Sequence, residues 1–306
     1  MISFRTVHSK QNARLKDLRQ AMHHPGRKQD GGVGIEGPNL LAEALRAGLS
    51  PATVFVAEGF EHLAAELPLP DATECLLLPR ALLNTALATE APQPIAALVE
   101  PPAWNWEEIL GGDQRAEIRD QRSETRNQKP ESRDQGANSS GHPPLIVILA
   151  GLQDPGNVGT ILRSAEAFGA TGLLTLPGTV SPWNQKALRA SAGSIFRLPI
   201  LATTADEAFA RLRAAGVRIY TTAVQGAEEA HKAALGRATA LLIGNEGNGV
   251  PPEIAARADA AITIPCPGPV ESLNAAVAAS ILLYQAAAAR GFAPYGSASR
   301  SQGVTR

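Results

Sequence analysis

Cysteine, aromatic side chains and net charge are all scarce in this chain of 306 residues, and each shortage removes a class of protein. Two cysteines, Cys75 and Cys266, are too few for a disulfide framework, and with the six scattered histidines they show no metal-ligand spacing, so no metal site is expected. Unpaired thiols fit a reducing compartment, and the cytoplasm is the expected location. Aromatics make up 4% of the chain, so its cores must be built from Ala, Leu, Val and Ile. The net charge of −1, taken alone, argues against a dedicated nucleic-acid binder. Long apolar runs are missing too. The most apolar stretch, 275–289, is shorter than the roughly 18 residues of a membrane span and contains Ser280 and Gln285, which makes it a core helix and excludes a membrane partner. Residues 1–10 lack the apolar segment of a secretory signal.

What remains is 44% hydrophobic and long enough to bury a sizeable core, with two domains as the starting expectation. Charge is unevenly spread. Arg5, Lys10, Arg14, Lys16, Arg19, Arg27 and Lys28 crowd the first thirty positions against only Asp17 and Asp30. Residues 9–22 read as an amphipathic helix capped by Ser9, with Leu15, Leu18 and Met22 on one stripe. On it Arg14, Lys16 and Arg19 either track a phosphate backbone or form an ordinary solvated face. A Gly-rich break leads to a strand end and helix over 35–46; strands at 53–57 and 74–78, with short helices between and after them, and a strand at 95–99 complete a first α/β unit, 1–108.

Residues 109–143 differ in kind. Arg115, Arg119, Arg122, Arg126, Lys129 and Arg133 are balanced by as many acids, and apolar residues nearly vanish, so the segment cannot offset its ordering entropy and reads as a linker or insertion. An RNA-contacting tether is the other reading. From 145 the chain alternates strands (145–150, 172–176, 217–221, 240–243, 261–264) with helices (157–168, 184–191, 206–215, 273–290), the pattern of a parallel sheet covered on both faces. This unit spans 144–292, with a loose Gly/Ser/Arg-rich tail over 293–306.

Three motifs fall where strands of this sheet should end, the edge at which such sheets bind ligands. The first is Asn157-Val-Gly-Thr-Ile-Leu-Arg163, where Asn157 suits a helix cap and Arg163 by itself is a surface cation. The second, Gly244-Asn-Glu-Gly-Asn-Gly-Val250, empties an apolar strand into a glycine loop whose backbone can approach a flat ligand closely. No Lys-Ser/Thr follows it and the order is not Gly-x-Gly-x-x-Gly, so a nucleotide-phosphate loop is not indicated. The third, Ile264-Pro-Cys-Pro-Gly-Pro-Val-Glu-Ser-Leu-Asn274, is a stiff proline loop opening the long apolar helix, with Ser272 placed as an N-cap or as a site residue.

In this order the motifs resemble those of the TrmH/SpoU branch of the SPOUT superfamily. The intervening Asn184-x-x-Ala-Leu-Arg-Ala-Ser-Ala-Gly-Ser-Ile-Phe-Arg-Leu-Pro199 belongs to the resemblance, which spans nearly all of 145–290. Thr89-Glu-Ala-Pro-Gln93 and its surroundings resemble the ribosomal-protein-like substrate-binding domain that precedes many such catalytic domains, except that Pro94 stands where the family has Gly. The resemblance implies an α/β protein with a trefoil-knotted parallel-sheet methyltransferase domain after a smaller α/β domain. It implies methyl transfer from S-adenosyl-L-methionine to an RNA ribose 2′-hydroxyl, without a metal, by a homodimer. Gly244, Asn245, Gly247, Ile264, Pro265 and Leu273 would hold the cofactor, while Asn157, Arg163, Glu246, Ser272 and Asn274 would face the RNA.

A general-base role for Arg163 conflicts with the chemistry of guanidinium, which does not deprotonate in proteins. A positioner of phosphate and stabiliser of the developing alkoxide suits it better. The N-terminal unit favours ribosomal over transfer RNA, since transfer-RNA enzymes of this type often lack it. The rival classes are a catalytically silent RNA-binding or ribosome-assembly module, opposed by the intact site residues, and a Rossmann-type nucleotide enzyme, which fails on motif order and lacks the ribose-binding acid.

Overall fold

The computed structural model describes residues 2–25, 32–111, 143–223, 227–269 and 272–291. Arg27, Lys28, Glu271, most of the expected linker and the tail lie outside them. The chain runs β1 (Phe4–Thr6), α1 (Ala13–His23), β2 (Val33–Glu36), α2 (Pro38–Arg46), β3 (Thr53–Ala57), α3 (His62–Ala65), β4 (Glu74–Leu78), α4 (Arg80–Asn84), β5 (Ile95–Val99) and α5 (Trp106–Ile109). It continues with β6 (Leu145–Ala150), α6 (Pro155–Ala167), β7 (Gly172–Thr175), α7 (Gln185–Ser191), a 3-10 turn (Ser194–Phe196), β8 (Ile200–Ala202) and α8 (Ala205–Ala214). Then follow β9 (Arg218–Thr222), β10 (Glu228–Glu229), β11 (Thr239–Gly244), α9 (Pro252–Ala255), β12 (Ala260–Thr263) and α10 (Ala275–Ala289).

The first five strands form a mixed sheet in the order β1-β4-β3-β5-β2. Strand alternation sorts its side chains between two covers. Phe55, Leu76 and Leu98 join Leu15, Leu18 and Met22 of α1 and Leu82 and Leu83 of α4. Val54, Val56 and Ala97 join Leu40 and Leu41 of α2 on the other face. The cap of α1 is Asn12, whose side chain accepts from Leu15 N at 3.2 Å, and not Ser9, which accepts from Gln11 N in the preceding turn.

The remaining strands form an all-parallel sheet, β10-β12-β9-β11-β6-β7-β8. In β6, Leu145, Val147 and Leu149 face Val158, Ile161 and Leu162 of α6 and Leu282 and Leu283 of α10. Ile146 and Ile148 face Phe209 and Leu212 of α8 on the opposite side. The helix α5, divided by the expected boundary between first unit and linker, seats Ile109 in this second cluster, and Ile109 O accepts from Thr171 Oγ1 at 2.8 Å.

The two units pack through polar contacts as well as a shared apolar cluster. Gln185 Nε2 donates to Gly34 O at 2.7 Å, and Arg197 Nη1 donates to Glu43 Oε2 at 2.6 Å. Gly193 permits that approach: a Cβ there would lie 2.5 Å from Glu43 Cβ. Among the described residues no helix is long and apolar enough to cross a membrane, and no group of three His, Cys, Asp or Glu could hold a metal ion.

Candidate functional site

The parallel register sets Gly244 beside Ala150, so β11 and β6 finish together and their following loops share one edge. After β6 the chain turns at Gly151 (φ 73°) into α6. Asp154 caps that helix, accepting from Gly156 N at 2.8 Å, with Pro155 at its first position where a missing N–H costs nothing. The expectation that Asn157 caps is corrected. Because Asp154 takes that job, Asn157 falls inside the first turn, where it is buried and its amide is free for other partners.

The second motif is a tight hairpin. Asn245 N donates to Gly249 O and Gly249 N to Asn245 O, each at 2.9 Å, with Gly249 at φ 66°. Gly244 has no substitute here: a Cβ would lie 2.1 Å from both Gly249 C and Val250 N. Asn245 pins the hairpin to the first motif by donating from Nδ2 to Gly151 O at 3.1 Å, and its Oδ1 accepts from Gly247 N at 2.8 Å. This leaves Glu246 on the exposed tip.

Asn274, not Ser272, is the N-cap of α10, with Oδ1 accepting from Ala276 N at 2.9 Å and Val277 N at 3.2 Å. Its Nδ2 is thereby turned outward and donates to Asn157 Oδ1 at 3.1 Å. Asn157 Nδ2 in turn donates to Glu246 Oε1. One chain of side-chain hydrogen bonds thus joins all three motifs, Asn274 to Asn157 to Glu246, and each asparagine amide is oriented by both of its neighbours. Further along, Ser164 of α6 and Ser280 of α10 meet hydroxyl to hydroxyl at 2.7 Å, holding the two helices side by side.

Around this chain Ile264 and Leu273 are half-buried, and Pro265, Cys266 and Ser272 are exposed. Backbone at three strand ends and the partly open apolar surface of Ile264 and Leu273 suit a flat, mostly uncharged ligand such as an adenosine. Arg163 does not join the cluster. It lies exposed on α6, its side chain with no hydrogen bond or ion pair among the described residues. Arg14 pairs with Glu74 (3.0 Å) and Arg19 donates to Thr85 O (3.1 Å) and Oγ1 (3.2 Å), both within the N-terminal unit, while Lys16 is exposed.

Three contributors were not expected from the sequence. Asp154 also meets Lys186 Nζ at 2.7 Å, and this pair, with the Gly156 amide, lowers its pKa below the usual carboxylate value. Gln153 Nε2 donates to Gly178 O at 2.5 Å, tying the loop after β6 to that after β7. Gly159, the central glycine of the first motif, lets α7 lie against α6, since a Cβ would come within 2.3 Å of Ala187 O. The Asp-Pro pair before the motif and its Asn-x-Gly spacing were the available signals for the first and third.

Both units of the chain resemble known proteins. Residues 144–284 match the SpoU rRNA Methylase family, and residues 12–97 match the MRM3-like substrate binding domain. The 23S rRNA (guanosine(2553)-2′-O)-methyltransferase RlmP of Bacillus subtilis is 29% identical, over 91% of this chain and 97% of that protein. The crystal structure of the SpoU methyltransferase AviRb from Streptomyces viridochromogenes in complex with AdoMet superposes with a TM-score of 0.73 at 27% identity, covering 92% of this chain and 98% of that one. An AdoMet-bound rRNA methyltransferase from Sinorhizobium meliloti gives a TM-score of 0.72 at 27% identity, with 92% and 97% covered.

Proposed function

The chain belongs to the SpoU rRNA methylase family, with an MRM3-like substrate-binding domain ahead of the catalytic one, and we propose that it is an S-adenosyl-L-methionine-dependent 2′-O-methyltransferase of ribosomal RNA, acting in the cytoplasm as a homodimer. The hydrogen-bond chain Asn274–Asn157–Glu246 carries the reading. It places a carboxylate and two oriented amides at the strand ends where the glycine hairpin and the proline loop meet.

The residues present fit the cofactor. The closely packed Gly244 and the self-bonded hairpin through Asn245 and Gly247 give a fixed edge against which an adenosine can lie, and the partly open side chains of Ile264 and Leu273 beside Pro265 give it apolar walls. When bound, S-adenosylmethionine supplies an electrophilic methyl on its sulfonium, so the protein has mainly to align a ribose oxygen and stabilise the charge it develops. Asn157 and Asn274, already locked by mutual bonds, position the ribose with Ser272 beside them, and Glu246 orients Asn157.

Exposed Arg163 supports the homodimer. Val277 and Tyr284 are the exposed large hydrophobics among the described residues, at 47% and 52% exposure, and both lie on α10, which is bonded side by side to α6. A helix apolar all round, as α10 is, is expected to be covered on every side. Joining two copies through this face buries it and carries each Arg163 toward a second chain. RNA contacts by Arg14, Lys16 and Arg19 extend the same reading to the N-terminal unit, with Lys16 the member whose side chain has no partner among the described residues.

The test is methyl transfer from labelled S-adenosylmethionine to in vitro transcribed ribosomal and transfer RNA, followed by mapping of 2′-O-methyl positions. A single position in ribosomal RNA is the expected product. Label in transfer RNA only would overturn the substrate class, and cofactor binding without transfer to either would favour a silent binding module.

A further inference from the structure

A cavity of about 290 Å³ opens between the two units, away from the three motifs but on the same edge of the parallel sheet. One wall is the end of α1, with Met22, His23 and Pro25, continued by Ala88; the other is the start of α7, with Asn184, Gln185, Lys186 and Arg189. The floor is fixed, because buried Gln185 reaches across and donates to Gly34 O at 2.7 Å. Among the described residues no acidic side chain lines the cavity.

Its cations differ in how far they are already engaged. Lys186 gives part of its charge to Asp154 at 2.7 Å, and its stem lies over Gly156, where an added Cβ would come within 3.1 Å of Lys186 Cε. Arg189 is exposed, and its side chain has no hydrogen bond or ion pair among the described residues. An unpaired guanidinium beside an ammonium shared with Asp154 attracts a compact anion. Guanidinium forks match phosphate oxygens in particular. The volume sits at the lower end of ligand pockets, ~300 Å³, room for one backbone phosphate with its sugar.

We propose that this cleft is a phosphodiester-binding site for the RNA substrate, with Arg189 and Lys186 on the catalytic wall and His23 on the facing wall. The inference rests on the RNA methyltransferase reading and adds to it a place where the strand is gripped. Lys186 couples that grip to the chemistry. Through Asp154 it touches the cap of α6, and Asn157 stands three residues into the same helix, about 4.5 Å along its axis. A phosphate held here by both units would also fix the N-terminal domain while the target ribose sits at Asn157.

The test is filter binding of an in vitro transcribed large-subunit ribosomal RNA across a salt series, with wild type, Arg189→Gln, Arg189→Glu and His23→Gln. Arg189→Gln should lower affinity about tenfold and flatten the log–log salt slope by about one. Arg189→Glu should lower it further, and His23→Gln should reproduce a smaller part of the loss. S-adenosylmethionine affinity and single-turnover transfer at saturating RNA should stay near wild type, a KM-against-kcat split that a merely misfolded variant would not give. Wild-type affinity and slope in the Arg189 variants would overturn the site while leaving the methyltransferase reading intact. Failure of the wild-type protein to bind or methylate any RNA would instead sink that reading, and the cleft with it. Calorimetry with inorganic phosphate separates a small-anion site: phosphate binding that depends on Arg189, with RNA binding unchanged by the same substitution, would overturn the RNA occupant.

Discussion

Arg197 offers the sharpest test of how the two units are held. Its Nε and Nη2 donate to the two carboxylate oxygens of Glu166 at 2.6 and 3.0 Å, and its Nη1 donates to Glu43 at 2.6 Å. Glu166 belongs to α6 and Glu43 to α2, so one guanidinium fork clamps the helix bearing Asn157 to the N-terminal domain. The Glu166 bond first, and then Glu43, raise the Arg197 pKa against the opposing effect of burial. The three side chains are only 33%, 27% and 23% exposed, so replacing Arg197 by Met removes the fork from Glu166 and leaves Glu43 with Arg46, with little water to replace the lost bonds. Hydrogen bonds to charged groups contribute about 1.5–3 kcal/mol each; with three made and a discount for residual exposure, the expected loss is about 2–3 kcal/mol. For a domain of this size that is a fall in Tm of roughly 5–10 °C. A double-mutant cycle with Glu43→Gln should show coupling above about 1 kcal/mol, because both substitutions disrupt the same Arg197–Glu43 pair. Scanning calorimetry would measure both. Additive effects within about 0.5 kcal/mol would refute the clamp, since independent sites behave that way.

Arg163→Ala should leave S-adenosylmethionine affinity nearly intact while single-turnover methyl transfer falls about 100-fold or more, with little recovery in Arg163→Lys. If Arg163 acts on a second chain, mixing Arg163→Ala with Asn157→Ala protein should restore part of the activity; no restoration would place it on its own chain's site or outside the chemistry. Cys266 is exposed in the proline loop, whereas Cys75 is buried and its thiol pKa is pushed up by desolvation, so iodoacetamide should label Cys266 first and S-adenosylmethionine should protect it. Peptide mapping that finds label on Cys75, or equal labelling of Cys266 with and without cofactor, would contradict this. Asp154→Ala should cost about 1 kcal/mol for the lost cap at neutral pH. Because the Asp154 pKa is lower in the folded chain than in the unfolded one, its contribution is present above about pH 4 and is lost as pH falls through the lowered value, so thermal melts of wild type and variant should converge in acid.

The central strands were legible because the physics that forms them is local and one-sided. Residues 53–57, 74–78, 95–99 and 145–150 are short apolar runs ended by turn residues, and the structure keeps those bounds. The strands β1, β8 and β10 are two or three residues long and hold partly exposed side chains, so no run marks them; they are strands because an edge lies open beside them. Caps failed for a related reason. Ser9, Asn157 and Ser272 have the right chemistry, but so do Asn12, Asp154 and Asn274, and backbone direction decides between them. Only at Asp154 did the sequence carry the answer, in the proline that follows.

For the site, residue types were legible and their relations were not. Nothing in the order of the motifs says that Asn274 caps α10 with one side-chain atom and reaches Asn157 with the other, yet that double use is what brings the third motif to the first. Arg163 is the instructive case. At about 100° per residue, six positions along α6 turn its side chain roughly 120° from the direction of Asn157 and carry it about 9 Å along the axis. The two residues therefore leave α6 in different directions, Asn157 buried and Arg163 exposed. The rotation suits the proposed homodimer, in which each Arg163 would serve the Asn157 of the other copy.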